Sequence, residues 1–301
     1  MRAFRKAAPG CQLFTNIDYV ANRAAATTLR EHGGELQIRT IEGKTIKIKA
    51  TEPLPETPFT LLAVLFAEGK FPPRFGATLV ATVAHLPNFT GMHDLHKSIT
   101  LTESDLGQLA SGACNTSLTM LLVRIHLTPQ SLNLLAQFPK LNNLYCDATE
   151  ADDNVLARLP ELAGVNQLYI TQLGRSGKVT AKGLAAVGKL PLTNFTLNYS
   201  KLSATDFGVL ADGLPGVQVL GLTSTQNAEE LTPVIAAKFP QLTNLSLNDT
   251  PLTDKGLLPL YGHKTLKVLN VKKTQVTADA VKKLQATLPK CKIESDFDAK
   301  P

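Results

Sequence analysis

The sequence predicts an α/β fold in which strand–turn–helix coils stack into a solenoid with one long parallel sheet. A pattern of the form L-x-x-L-x-L recurs seven times between Leu118 and Val271, with successive starts 23 to 27 residues apart. A polar turn and a helix-start signal follow most of these strands, and a proline closes several of the units. A unit of this size has an apolar edge that it cannot bury alone, so its neighbours must cover that edge.

The strand half of each unit places apolar residues at its first, fourth and sixth positions. The seven registers begin at Leu118, Leu141, Val165, Leu192, Val217, Leu242 and Leu266. Since successive side chains of a strand point to opposite faces, the fourth and sixth residues are expected in the core. The third and fifth residues are then expected on the outer face of the sheet.

The helix half of several units begins with a hydroxyl residue. Thr180, Ser203, Thr253 and Thr277 occupy one column. There a side-chain oxygen can accept a hydrogen bond from the free N–H groups of the following turn. Prolines end several units, because proline cannot continue a helix. They are Pro139, Pro160, Pro215, Pro240 and Pro289.

The chain divides into five segments. Residues 1–17 are expected to be a flexible N-terminal segment, and residues 18–58 a cap made of one helix and a β-hairpin around Glu42-Gly43. Residues 59–117 are interpreted as irregular leading repeats that start with a strand at Phe59–Phe66, and the register of residues 67–98 stays open. Residues 118–290 are the regular repeats, and residues 291–301 an edge strand and tail.

From Leu118 to Pro289 the pattern resembles leucine-rich repeats. The ending Leu288-Pro-Lys-Cys-Lys-Ile293 and helix starts such as Val179-Thr-Ala-Lys-Gly-Leu184 are similar to those of planctomycete-type leucine-rich repeat proteins, with ribonuclease-inhibitor-like repeats. The resemblance implies a horseshoe with a parallel concave sheet and convex helices, whose first coil the N-terminal helix and hairpin would cap. Such modules occur alone or attached to serine/threonine kinase domains.

One column departs from the leucine-rich repeat pattern. Many such repeats place Asn at the ninth position, where its amide bonds to backbone between coils. Here that column reads His126, Thr149, Leu173, Ser200, Thr225, Thr250 and Thr274. The threonines and the serine are expected to bond backbone instead. Leu173 cannot, so an irregular turn is expected at Gly174–Gly177.

Composition and charge argue against several classes of protein. The 301 residues are 44% apolar and carry a net charge of +6, and no long apolar run predicts a membrane span. The excess positive charge lies at the two ends of the chain, so nucleic-acid binding is not expected. Four cysteines lie far apart, which predicts neither a disulfide framework nor a zinc ribbon. We expect a cytoplasmic monomer with no membrane partner.

The sequence offers no persuasive catalytic constellation. The Gly-rich loop and H-R-D motif of a kinase are absent, as is the G-x-S-x-G elbow of a hydrolase. His93 and His96 form a close histidine pair, but a metal site needs three or four converging ligands. The chain is therefore predicted to be no enzyme and to need no metal and no cofactor. A metal-dependent enzyme centred on this pair is kept as a further hypothesis.

The candidate binding residues lie in or just after the outward-facing strand columns. They are Asn143, Tyr145, Gln167, Tyr169, Asn194, Thr196, Tyr199 and Asn244. Tyr and Asn are favoured in adaptable protein-binding surfaces, so Tyr145 and Tyr169 are expected to anchor a partner while amide side chains supply hydrogen bonds. Alternatively, these residue types simply suit a solvated parallel sheet.

Two functional hypotheses follow from the repeats. The first is a non-enzymatic scaffold that binds a protein or peptide on its concave sheet. The second, which the family resemblance implies, is a sensor or targeting module of a serine/threonine kinase system whose kinase domain lies outside this chain.

Overall fold

The computed structural model describes residues 16–67 and 71–297, with side chains from residue 19 onward. The expected flexible segment lies outside the described residues up to residue 15, and the next residues already belong to the first helix. The N-terminal elements are α1 (Asn16–Glu31), β1 (Gly34–Thr40), β2 (Thr45–Ile48) and β3 (Phe59–Phe66). The predicted helix, hairpin and first strand are therefore all present.

The coils follow in chain order. The leading ones contain α2 (Phe75–Val83), β4 (Gly91–Asp94), β5 (Thr100–Leu101), α3 (Glu103–Ser111), β6 (Met120–Leu122), β7 (Arg124–Ile125) and α4 (Pro129–Leu135). The middle ones contain β8 (Asn143–Asp147), α5 (Asp153–Leu156), β9 (Gln167–Thr171), α6 (Ala181–Val187), β10 (Asn194–Asn198) and α7 (Ala204–Asp212). The last ones contain β11 (Val219–Gly221), α8 (Ala228–Lys238), β12 (Asn244–Ser246), α9 (Asp254–Leu257), β13 (Val268–Asn270), α10 (Ala278–Thr287) and β14 (Lys292–Glu294).

One sheet runs through the whole described structure. Its twelve strands lie in the order β14-β13-β12-β11-β10-β9-β8-β6-β4-β3-β1-β2, and the ten strands from β3 to β14 in this sheet are parallel. The hairpin β1–β2 joins the sheet antiparallel to β3, while β5 and β7 form a separate small parallel pair. Strand β4 fixes the register that the sequence left open, since Gly91 pairs with Met120. The predicted α/β solenoid with one long parallel sheet is confirmed.

The core lies between this sheet and the helices. The fourth and sixth strand residues are buried there as predicted, for example Leu144 and Cys146 in β8. Neighbouring coils approach closely where α6 and α7 end. The approach is so close that a Cβ on Gly213 would collide with the carbonyl of Gly188. Only glycine fits at that contact. Among the described residues, every helix is too short or too polar to span a bilayer.

The predicted hydroxyl caps form at three of the four positions. Thr180, Ser203 and Thr277 accept hydrogen bonds from backbone N–H groups of their own helices. Thr253 makes no such bond, so its predicted capping role is wrong. Its hydroxyl instead donates to the carboxylate of Glu229 in the preceding coil, at 2.6 Å.

Carboxylates at helix starts tie neighbouring coils together on the helix side. Asp254 accepts hydrogen bonds from the hydroxyl and backbone N–H of Thr277 in the next coil, at 2.9 and 2.7 Å. Glu229 accepts the same two bonds from Thr253. These bonds lower the pKa of Glu229. A side chain in the first turn of one helix therefore binds the start of the next.

The ninth column also bonds backbone, as predicted, at four of its positions. The Thr225 hydroxyl donates to the carbonyl of Leu197 in the previous coil, at 3.1 Å. Ser200, Thr250 and Thr274 each donate to a carbonyl of their own turn. At Thr149 the prediction is wrong, because its hydroxyl binds the nearby carboxylate of Asp147 instead. Leu173 is buried, and the glycines of the turn after it, Gly174 and Gly177, both have positive φ.

We expect Glu229→Gln to lower the free energy of unfolding by about 1 kcal/mol, since the amide loses the charge that strengthens its bonds from Thr253. Glu230→Gln is the matched control, because Glu230 lies in the same helical turn and is exposed. Urea unfolding of both variants measures the difference. Equal loss of stability in the two would show that the effect comes from the helix dipole alone.

Candidate functional site

The outer face of the sheet, which points away from the helices, carries a row of amide side chains. Asn143, Gln167 and Asn194 lie in register on β8, β9 and β10, and the Asn143 amide donates to Gln167 Oε1 at 3.3 Å. Asn244 lies two strands further on, beyond Val219. The structure therefore brings three of the predicted polar residues together and leaves Asn244 apart from them.

A second row contains the aromatic residues. Tyr145 and Tyr169 are paired in register across β8 and β9, and Thr196 is the next member of the row. Tyr145 is only 4% exposed, so the expectation that it lies open on the sheet is wrong. The Lys97 ammonium lies 5.1 Å from the centre of its ring, and its hydroxyl is 3.2 Å from that of Thr171. Lys97 comes from the turn after β4, two strands away from β8.

The other two tyrosines are more accessible. Tyr169 is partly buried, which raises its pKa, and its hydroxyl has no hydrogen-bond partner among the described residues. Tyr199 follows β10 and is 49% exposed, with a left-handed backbone at φ 54°. Three tyrosines therefore surround one region at the carboxyl ends of the strands.

This region is an open cavity of about 590 Å³, which we call the tyrosine pocket. It is lined by Leu95, His96, Lys97, Arg124, Tyr145, Tyr169, Ile170, Thr171, Gln172, Arg175, Asn198 and Tyr199. The volume falls in the range of ligand sites, roughly 300 to 1,000 Å³. Reasoning from the strand columns missed its three cations, because all three follow a strand rather than lie in a column. Their position within four residues after β4, β6 and β9 is the signal that could have found them.

Two buried carboxylates hold the segments that carry Lys97 and Arg124. Asp147 is 2% exposed and accepts a hydrogen bond from Arg124 at 3.0 Å. Arg124 Nε also donates to the carbonyl of Lys97, at 3.1 Å. Asp94 accepts from the backbone N–H groups of His96 and Ile99, at 3.0 and 2.7 Å. Neither carboxylate lines the pocket, so its surface has cationic side chains and no acidic one.

Hydrogen bonds hold the Lys97 side chain at the surface of the pocket. Its ammonium donates to the carbonyls of Asp94 and Leu122, at 2.5 and 3.2 Å, and its backbone is left-handed at φ 55°. Burial lowers the pKa of Lys97 to about 8, and the nearby Asp94 opposes that shift. Burial has this effect because it disfavours the charged form of an amine.

Arg175 stands on the opposite wall and is exposed. Its Nε donates to the carbonyl of Tyr199 at 2.7 Å, which orients the guanidinium. The remaining N–H groups of this side chain have no hydrogen-bond partner among the described residues. Their geometry suits planar anions such as carboxylate and phosphate.

The structure places the two histidines of the pair against different neighbours. His96 Nε2 is 2.9 Å from the carbonyl of Ala67, and His93 lines a smaller cavity of about 180 Å³ with Leu65 and Met120. Within residues 16–67 and 71–297, no group of three or more His, Cys, Asp or Glu side chains is placed to hold a metal ion. The described part of the chain thus offers no support for the metal-dependent hypothesis.

Other reactive side chains are also engaged in packing. Burial raises the pKa of Cys114 to about 11 and that of Cys146 further still, so both thiols stay protonated at neutral pH. Asp206-Phe207-Gly208 spells the D-F-G triplet of kinases, but it lies within α7. There Phe207 packs in the core and Asp206 is bonded to Ser203, so the triplet is part of a repeat helix.

The wild-type protein is expected to lose stability as the pH falls from 6.5 to 4. We expect this loss to be smaller in His93→Gln. Burial, with a smaller contribution from Lys97, lowers the pKa of His93 from 6.5 to about 4 in the folded state. Across that window the unfolded chain binds the extra proton, so acid favours unfolding. Melting temperatures at pH 7 and 4.5 measure this, with His85→Gln as an exposed-histidine control. An unchanged pH dependence in His93→Gln would contradict the assignment.

We expect the Lys97 ammonium to titrate near pH 8 in the folded protein, because burial disfavours its charge. The charged or titratable groups that face it are His93, Asp94, Arg124 and Tyr145. NMR of the lysine Cε resonances against pH measures the midpoint, and the Lys97→Met spectrum identifies the resonance. A midpoint near 10.5 would show that the ammonium is solvated.

No family model matches the chain, and no curated protein matches it. Among solved structures, an internalin from Listeria monocytogenes is 16% identical with a TM-score of 0.34, and the match covers 74% of this chain and 76% of that one. The ectodomain of the Arabidopsis receptor kinase HAESA, solved with a peptide hormone, is 14% identical with a TM-score of 0.39. That match covers 87% of this chain and 46% of the ectodomain.

A leucine-rich repeat protein of Leptospira interrogans is 14% identical with a TM-score of 0.25, over 72% of this chain and 87% of that one. The chain's own repeat period, its ten parallel strands and the helices that accompany them identify its fold as a leucine-rich repeat solenoid.

Proposed function

We propose that the chain is a non-enzymatic scaffold that binds a protein or peptide on the outer, concave face of its sheet. The observation that carries this proposal is the tyrosine pocket, which lies beside the amide row of β8, β9 and β10. Together they offer aromatic, cationic and hydrogen-bonding groups on one continuous surface. Tyr and Arg are the residue types that most often dominate the energy of protein interfaces.

The predicted residues have different roles in this proposal. Tyr169 and Tyr199 are the accessible anchors, while the buried Tyr145 pairs in register with Tyr169 and lines the same pocket. Asn143, Gln167 and Asn194 present amide groups to a partner's backbone. Thr196 extends the tyrosine row, and Asn244 marks how far the surface reaches toward the C-terminal coils.

The width of the sheet also supports a macromolecular partner. Parallel strands lie about 4.8 Å apart, so the seven strands of this sheet from β4 to β12 present a face roughly 30 Å long. A face of this length accommodates a partner of standard interface size, about 800 Å² on each side.

A second candidate is the sensor or targeting module of a serine/threonine kinase system. One sequence observation favours it, namely the resemblance of the Leu288–Ile293 ending, which contributes β14, to planctomycete-type repeats. This candidate requires a kinase domain encoded in the same or an adjacent gene. Sequencing that region tests it, and a region without a kinase domain removes its support.

We expect the double variant Tyr169→Ala, Tyr199→Ala to weaken partner binding by about thirtyfold or more, since truncating each of two contributing interface residues costs about 1 kcal/mol or more. Quantitative affinity capture from native lysate, with the wild-type chain as reference, measures the loss. Leu258→Ala is the control, because Leu258 is an exposed apolar residue in a helical segment. Melting temperatures verify that both variants fold.

A protein that is captured equally by the wild-type chain and the tyrosine variant would contradict this binding surface. A protein lost with Leu258→Ala and retained by the tyrosine variant would place the interface on the helix side instead.

A further inference from the structure

The tyrosine pocket carries more positive charge than its neighbours neutralise. Of its three cations, Arg124 is paired with Asp147. Lys97 has the carboxylate of Asp94 nearby, but that carboxylate binds the N–H groups of the turn. Arg175 has no acidic partner among the described residues. The three cations of the pocket therefore face two carboxylates, and neither of these carboxylates lines the pocket.

Two side chains that line the pocket have hydrogen-bond donors without a partner among the described residues. The terminal N–H groups of Arg175 and the hydroxyl of Tyr169 have no partner within the described residues. The ammonium of Lys97 is already bonded to two carbonyls but has little solvent around it. Lys97 is partly buried, and an anion brought within about 4–6 Å of its ammonium would favour the charged form.

The pocket is also ordered in advance. Hydrogen bonds from Arg124 to the Lys97 carbonyl and from Arg175 to the Tyr199 carbonyl fix the two guanidinium groups on their turns. A ligand therefore has few side chains to immobilise when it binds, which is the main condition for affinity at a small site.

We propose that the tyrosine pocket binds a phosphorylated side chain of the protein or peptide partner. A phosphoryl group carries a charge of about −1.5 to −2 at pH 7 and three strong acceptor oxygens, whereas a carboxylate has one charge and two oxygens. It matches the charge of Lys97 and Arg175 together, and the stem of the side chain packs against Tyr169 and Tyr199. That the phosphoryl group belongs to a protein or peptide partner rests on the proposed function. The binding of a phosphoryl group in the pocket does not rest on it.

The test uses phenyl phosphate as the probe and the full chain as the receptor. Chemical-shift titration by NMR is expected to show saturable one-to-one binding, with the largest shifts at residues that line the pocket. Arg175→Gln is expected to weaken the affinity at least about tenfold, because a charge-assisted bidentate contact is lost. Arg175→Lys keeps the positive charge but lacks the planar guanidinium. Its affinity for phenyl phosphate is expected to lie between those of the wild-type chain and Arg175→Gln.

Arg39→Gln is the matched control, since Arg39 is an exposed arginine of β1 outside the pocket. It is expected to leave the affinity for phenyl phosphate unchanged. Inorganic phosphate and benzoate complete the comparison, and both are expected to bind more weakly than phenyl phosphate. The first lacks the ring that contacts the tyrosines, and the second lacks the second charge.

Several results would overturn the proposal: no saturable shift in the pocket, equal losses in Arg175→Gln and Arg39→Gln, or benzoate binding as tightly as phenyl phosphate. Equal affinity for inorganic phosphate would also count against it, since the tyrosines would then contribute nothing. Because the probe requires no partner, phenyl phosphate binding together with unchanged capture by the tyrosine variant would retain the phosphoryl site and reject the partner surface.

Discussion

The stacking of coils is the constraint on which the rest of the structure depends. Each strand points half of its residues inward, and residues such as Leu144 and Cys146 are buried only because the adjacent coils lie against them. On the helix side, carboxylates such as Asp254 bind the start of the next helix and fix the spacing of the coils. The outer strand positions take no part in this packing of the core.

The turns after the strands convert this regular stack into a pocket. Gln172 and Tyr199 occupy equivalent places directly after β9 and β10, and Lys97 lies three residues after β4. All three have left-handed backbones although none is glycine. Such a conformation costs an ordinary residue about 1 kcal/mol or more. The hydrogen bonds of the turns offset this cost, as those from Lys97 to the carbonyls of Asp94 and Leu122 illustrate. The same bonds hold the charged groups at the edge of the sheet.

The sequence was most informative where structure is local and periodic. The strand registers, the hairpin at Glu42-Gly43 and three of the four hydroxyl caps follow from residue spacing, because each depends on contacts within a coil or between adjacent ones. At Thr253 the predicted cap does not form, although its hydroxyl donates to a carboxylate of the preceding coil just as that of Thr277 does. The burial of Tyr145 depends on Lys97, which reaches it from two strands away, and strand alternation holds no information about that contact. The pocket cations were missed because they lie just after β4, β6 and β9, outside the repeated columns of the long sheet.

The location of the tyrosine pocket along the stack has a consequence for its durability. Its walls come from the coils of β4 to β10, with four further strands on one side of the sheet and three on the other. A solenoid whose coils contact mainly their nearest neighbours frays from its ends, where a coil has one neighbour instead of two. The elements at the two ends are therefore expected to unfold locally before those that carry the pocket. Unfolding that starts at the C-terminal end must first separate β14 to β11 from the sheet. Unfolding that starts at the N-terminal end must first separate the hairpin and β3 before it disturbs the geometry of the pocket.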